Sequence, residues 1–141
     1  MKVIGISKLM SSFFLMLVVG NIFFSCKNSD DDDPAPAQHG IDIATGTFKG
    51  TMKIEGVDYY NAIVNVSKID DSHVKVQPKG GEAYSVATPK TINVSNSAGV
   101  GVSGSDSQGN FNYMISTKSL QIYTQKTAES DVRFYFEGEK Q

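Results

Sequence analysis

The chain has one cysteine, Cys26, and no tryptophan in 141 residues. A disulfide or a thiolate zinc site within one chain is therefore excluded, since each needs at least two thiols. Positive charge is not in excess either: 13 Lys and Arg stand against 15 Asp and Glu, a formal net charge of -2. That balance cannot neutralise a run of phosphates, so no nucleic acid is expected as a partner. Only His39 and His73 supply imidazole, and no HExxH or DxDxDG pattern occurs. Neither a metal nor a cofactor is therefore expected. Past residue 40 no stretch has the 3.6-residue period of a helix of three turns. Present instead are 13 Gly, only 4 Pro and many Ser, Thr and Asn, the mixture of short strands joined by tight turns. The length suits one ordinary domain.

The first residues read as an address. Lys2 and Lys8 precede an apolar run from Leu9 to Phe24, softened by Ser11, Ser12, Gly20 and Asn21. A spanning helix needs about 20 continuous apolar residues, and this run is shorter, so residues 1–25 are expected to be a secretory signal. Ser25 directly before Cys26 resembles the bacterial lipobox. The resemblance implies cleavage before Cys26 and acylation of its sulfur and amine, with acyl chains that anchor the protein to a membrane. Residues 26–43 follow as the lipidated Cys and a tether. Within it Asp30, Asp31, Asp32 and Asp33 run into Pro34-Ala35-Pro36, and self-repulsion together with proline keeps such a stretch solvated and disordered. As a plain reading the Asp run is a spacer. It also resembles the acidic lipoprotein export signal of Bacteroidota, which implies exposure at the outer face of the outer membrane.

Residues 44–141 are expected to form the folded domain. Phe48, Gly50, Met52 and Ile54 share one parity against Lys49, Thr51, Lys53 and Glu55, and Ala62, Val64, Val66, Val74 and Val76 continue the alternation. Period two means strands with one wet face. Further runs lie at 84–87, 91–94, 100–103, 111–116, 120–124 and 132–137, separated by turn signals at 78–81, 89, 96–99, 104–110 and 128–131. These nine candidates, with one or two middle ones merging, predict an all-β fold. Closing the sheet on itself removes its edges, so a small closed antiparallel barrel of about eight strands is favoured over an open sheet. Closure also predicts that the last strand pairs with the first.

Two passages carry a family likeness. Gly46-Thr47-Phe48-Lys49-Gly50 and the stretch Asn61 to Val76 resemble the opening strands of the calycin-like (lipocalin-like) β-barrel lipoproteins of Bacteroidota. The resemblance spans about residues 44 to 138 and implies a closed barrel displayed on a lipid anchor.

Catalysis is not expected. Asp70, Ser72 and His73 invite a triad reading, but strand neighbours point to opposite faces, so a polar hairpin turn with a solvated His73 is expected instead. The acids available for paired-carboxylate chemistry, among them Asp42, Glu55, Asp58, Glu82, Asp106, Glu129, Asp131, Glu137 and Glu139, fall mostly on turns and wet faces. Phe48, Met52, Phe111, Ile115, Phe134 and Phe136 point inward, either as the lining for a small apolar ligand or as a packed core. Tyr123 and Tyr135 take the outward parity, and a hairpin near Glu129 sets them side by side to meet a ligand or to stabilise the sheet. The expected function is a non-catalytic binding or interaction module of the cell envelope, meeting an envelope protein. The alternative is a lipocalin-like carrier of a small apolar ligand.

Overall fold

The computed structural model describes residues 40–141. The signal segment, Cys26, the Asp30 to Asp33 run and His39 lie outside the described residues. Nine antiparallel strands form one sheet: β1 (Gly46–Ile54), β2 (Val57–Lys68), β3 (His73–Pro78), β4 (Lys90–Asn93), β5 (Ser95–Ser97), β6 (Gly101–Asp106), β7 (Gly109–Met114), β8 (Ser119–Thr124) and β9 (Tyr135–Lys140). Their spatial order is β4-β3-β2-β1-β9-β8-β7-β6-β5. The described residues contain two short 3-10 turns and no α-helix.

The sheet curls into a nearly closed barrel because its two edges belong to one stretch of chain. Only Val94 separates β4 from β5. The first half of this stretch pairs with β3 and the second half with β6, so β4 and β5 are the halves of a single bent strand, which reconciles nine strands with the expected eight. At the bend Val94 N–H donates to the Ser72 carbonyl at 2.7 Å, and Asn93 N–H donates to Asp106 Oδ2 at 2.8 Å. Gly104 of β6 sits so close that a Cβ there would collide with the Asn93 carbonyl oxygen.

The first and last strands pair as closure requires, with Met52 opposite Phe136 and Lys53 opposite Tyr135. Inward positions from every quarter of the sheet then meet. Phe48, Met52, Val64, Val74, Val76, Ile92, Val102, Leu120 and Phe136 are completely buried. Phe48 meets Tyr113 edge-on, with centroids 5.7 Å apart and rings at 80°, an arrangement favoured by the aromatic quadrupoles.

Several local expectations change. Residues 83–86 form a 3-10 turn and not a strand. Tyr84 leaves the sheet to cover the barrel end where β1 finishes: its ring meets Tyr59 at 6.0 Å, and its hydroxyl accepts from Ile63 N–H at 3.0 Å. β2 starts at Val57, earlier than the alternation suggests, because Tyr60 and Asn61 together oppose Thr51 in a bulge. Asn61 has φ 58°, a left-handed value that Asn tolerates better than most residues. The extra residue turns both Tyr59 and Ala62 inward and breaks the parity count. β5 occupies part of a segment expected to be turn, and β9 begins three residues later than expected. At the opposite barrel end Ile41 and Ala44, in a 3-10 turn over Ile41–Ala44, join the core. Ile41 thus belongs to the folded domain and not to the expected tether; one isoleucine beside Asp42 has no periodic neighbours to reveal an inward face.

Candidate functional site

The interior is filled. A chamber wide enough for water leaves accessible surface on the side chains that line it, whereas Phe48, Met52 and Phe136 keep none and Phe111 and Phe134 keep 1%. Five of the six inward candidates are therefore buried with no water-sized space beside them, as in a packed core. The sixth, Ile115, falls just beyond β7 and packs against the core only in part. It borders a surface concavity of about 320 Å³ shared with Ile43, Tyr113, Lys118, Lys140 and Gln141.

Asp70, Ser72 and His73 do meet, contrary to the expectation from strand alternation, because Asp70 and Ser72 lie in the β2–β3 turn. His73 Nδ1 contacts Asp70 Oδ1 at 2.8 Å and Ser72 Oγ at 3.1 Å. Its Nε2 faces Asn93 Nδ2 at 3.3 Å. A nucleophilic triad puts the hydroxyl on one ring nitrogen and the acid on the other. Here both crowd Nδ1, so the cluster lacks triad geometry and instead ties the turn to the end of β4. Asp70 also accepts the Ser72 backbone N–H at 2.8 Å. That bond first, and His73 second, hold its carboxyl down to about 2.

A buried ion pair escaped the sequence reading. Lys90 is 4% exposed and Asp131 9%, with Nζ donating to Oδ2 at 2.6 Å. The same oxygen accepts the backbone N–H of Thr127 at 2.9 Å and of Ala128 at 3.0 Å, while Lys90 Nζ also donates to Thr127 Oγ1 at 2.8 Å. Asp131 thus gathers the β8–β9 connection onto β4, a role that fits a buried charge with its partners supplied. The Lys90 contact foremost, then the Thr127 N–H, push the Asp131 carboxyl well below the ordinary 3.8. Between the ordinary and the lowered value the unfolded chain binds more protons than the native one, so stability falls as pH falls. Wild type should lose thermal midpoint steeply as pH drops from about 5 to about 2. Asp131→Asn should be less stable at neutral pH but lose less on acidification, so that the two curves converge. Midpoints measured by circular dichroism that stay equally far apart across that range would show that this pair does not set the acid response.

The outward face offers a different surface. Tyr123 lies opposite Tyr135, and Tyr135 opposite Lys53, which places the three side by side across β8, β9 and β1. Tyr123 is 38% and Tyr135 36% exposed. Adjacent in register, the two rings nevertheless do not stack: among the described residues the ring contacts are Phe48–Tyr113 and Tyr59–Tyr84. The Tyr135 hydroxyl donates to Glu137 Oε2 at 3.0 Å, and burial, then Glu137, raise its pKa. These tyrosines wall a groove of about 250 Å³ with Lys53, Glu55, Gly56, Arg133 and Phe134. Glu55 and Gly56 make the two-residue β1–β2 turn, with φ of 49° and 88°. Such a turn needs positive φ at both positions and favours Asn-Gly, so Glu55 sits there at some strain.

A second outward concavity, about 500 Å³, opens around the bulge and is lined by Lys49, Gly50, Thr51, Tyr60, Asn61, Gly138, Glu139 and Gln141. Among the described residues no three His, Cys, Asp or Glu side chains gather as metal ligands. No protein-family model matches the chain, and comparison with curated proteins and with solved structures finds no significant match.

Proposed function

We propose that this chain is a cell-envelope lipoprotein, anchored to the outer membrane through Cys26 and displayed at the cell surface. Its calycin-like barrel would act as a non-catalytic interaction module. The observation that carries the reading is the contrast between the two faces of the sheet. The interior leaves no accessible surface on Phe48, Met52 or Phe136, so recognition falls to the outer wall, where Tyr123 and Tyr135 border a groove. Aromatic side chains left half-exposed supply contact area at low entropy cost, the property that enriches them at recognition surfaces.

A photo-crosslinking amino acid in place of Tyr123, irradiated on intact cells, should capture another envelope component, and Cys26→Ala should abolish both the capture and palmitate incorporation. Native mass spectrometry of the purified full chain should show no apolar passenger. A co-purified apolar molecule would replace this reading by the carrier, with the barrel opening to admit it.

A further inference from the structure

We propose that the groove between β8, β9 and the β1–β2 turn binds a neutral pyranose unit of a glycan. This deepens the reading of the outer wall as the working face and rests on it.

Tyr123 and Tyr135 are register neighbours whose rings are not consumed by stacking on each other. Both are partly exposed and line the groove, and the apolar body of such a ring suits the C–H face of a sugar. Around it stand charges of both signs. Glu55 and Arg133 border the same groove, yet among the described residues neither side chain has an ion pair or hydrogen bond. Lys53, which also lines the groove, pairs with Asp58 at 3.4 Å.

Such a groove rejects most ligand classes. An anion meets Glu55 and the Glu137 carboxylate held on the Tyr135 hydroxyl. A cation meets Arg133 and Lys53. An apolar ligand strips water from Glu55 and Arg133 with nothing in exchange, and unpaired charge is costly to desolvate. A peptide binding as an added strand needs a free sheet edge, whereas β8, β9 and β1 each have neighbours on both sides. A sugar ring offers an apolar face together with hydroxyls that donate to a carboxylate and accept from a guanidinium. It is the ligand for which both unpaired charges become useful. The strained placement of Glu55 in the tight turn brings an acceptor to the groove where Asn would be the easier residue for the backbone.

The test uses the full chain in a detergent without a sugar headgroup. Cellohexaose, maltohexaose and mannohexaose are titrated in turn by calorimetry. At least one should bind with Kd at or below about 1 mM. Tyr123→Ala and Tyr135→Ala should each weaken that binding by about ten-fold or more, and Arg133→Gln and Glu55→Gln by about three-fold or more. Tyr123→Phe, which keeps the ring face, should bind nearly as wild type does. Circular dichroism melts establish that each variant is folded. The proposal is overturned if none of the three sugars binds with Kd at or below about 1 mM, or if the alanine variants bind as tightly as wild type. A protein captured at position 123, with no sugar bound, would overturn the ligand class while leaving the interaction module standing.

Discussion

Phe134→Ala should unfold the domain or leave it severely softened, while Tyr135→Ala, one residue along, should cost much less. Phe134 is 1% exposed and is held in place by its backbone: its N–H donates to Thr124 Oγ1 at 2.8 Å, and its carbonyl accepts the Thr124 N–H at 2.9 Å. With its backbone pinned to Thr124 on both sides of the peptide, the site has little freedom to collapse around a missing ring. Loss of a buried Phe costs about 3 to 5 kcal/mol, a large share of the roughly 5 to 15 that holds such a domain together. Tyr135 faces water, so its removal forfeits a partly exposed surface contact. Urea melts of the two variants measure the difference. Equal destabilisation would mean that the inward parity of this strand has been misassigned.

The second large effect is expected at the closure. Gly104→Ala puts a methyl group against the Asn93 carbonyl and the Val94 backbone, atoms of the bend that joins the two sheet edges. No rotamer relieves a clash with main chain. Overpacking of an ordinary core costs about 1 to 3 kcal/mol, and a backbone-limited clash belongs at or above the top of that range. Ser107→Ala, in the exposed turn between β6 and β7, is the control and should stay within about 0.5 kcal/mol. If amide exchange in β4 and β5 is no faster in Gly104→Ala than in wild type, the strands do not depend on this close approach.

The parts of the fold legible in the sequence are those where hydrophobic alternation runs unbroken. β1 declares itself through Phe48, Met52 and Ile54, and the adjacency of Tyr123 and Tyr135 follows from parity and a hairpin turning near Glu129. The hidden parts have identifiable causes. The bulge at Tyr60 and Asn61 resets the alternation, so the first half of β2 goes unseen. Tyr84 has strand-like neighbours, but it is recruited as a cover because a barrel end must be closed by something other than sheet. Lys90 looks like a solvated turn lysine next to Pro89, and only its long-range partner Asp131, 41 residues on, reveals why it is buried. The groove was half visible. Parity places the tyrosines, whereas Glu55 and Arg133 reach them through hairpin geometry that no local pattern encodes.

The position of β9 has a bearing on how the molecule comes together in time. β1 to β4 and β5 to β9 are two meanders in which every pairing joins neighbours in sequence, so each forms by closing short loops at small entropic cost. β9 is the middle strand of the finished sheet, and its contacts with β1 bridge about 85 residues. Until β1 and β9 pair, the two meanders present free hydrogen-bonding edges at the place that will become the interior of the sheet. Folding is therefore expected to be gated by one late, non-local zipping event. A chain paused before that event would expose the unpaired edges of β1 and β9, surfaces prone to joining another copy.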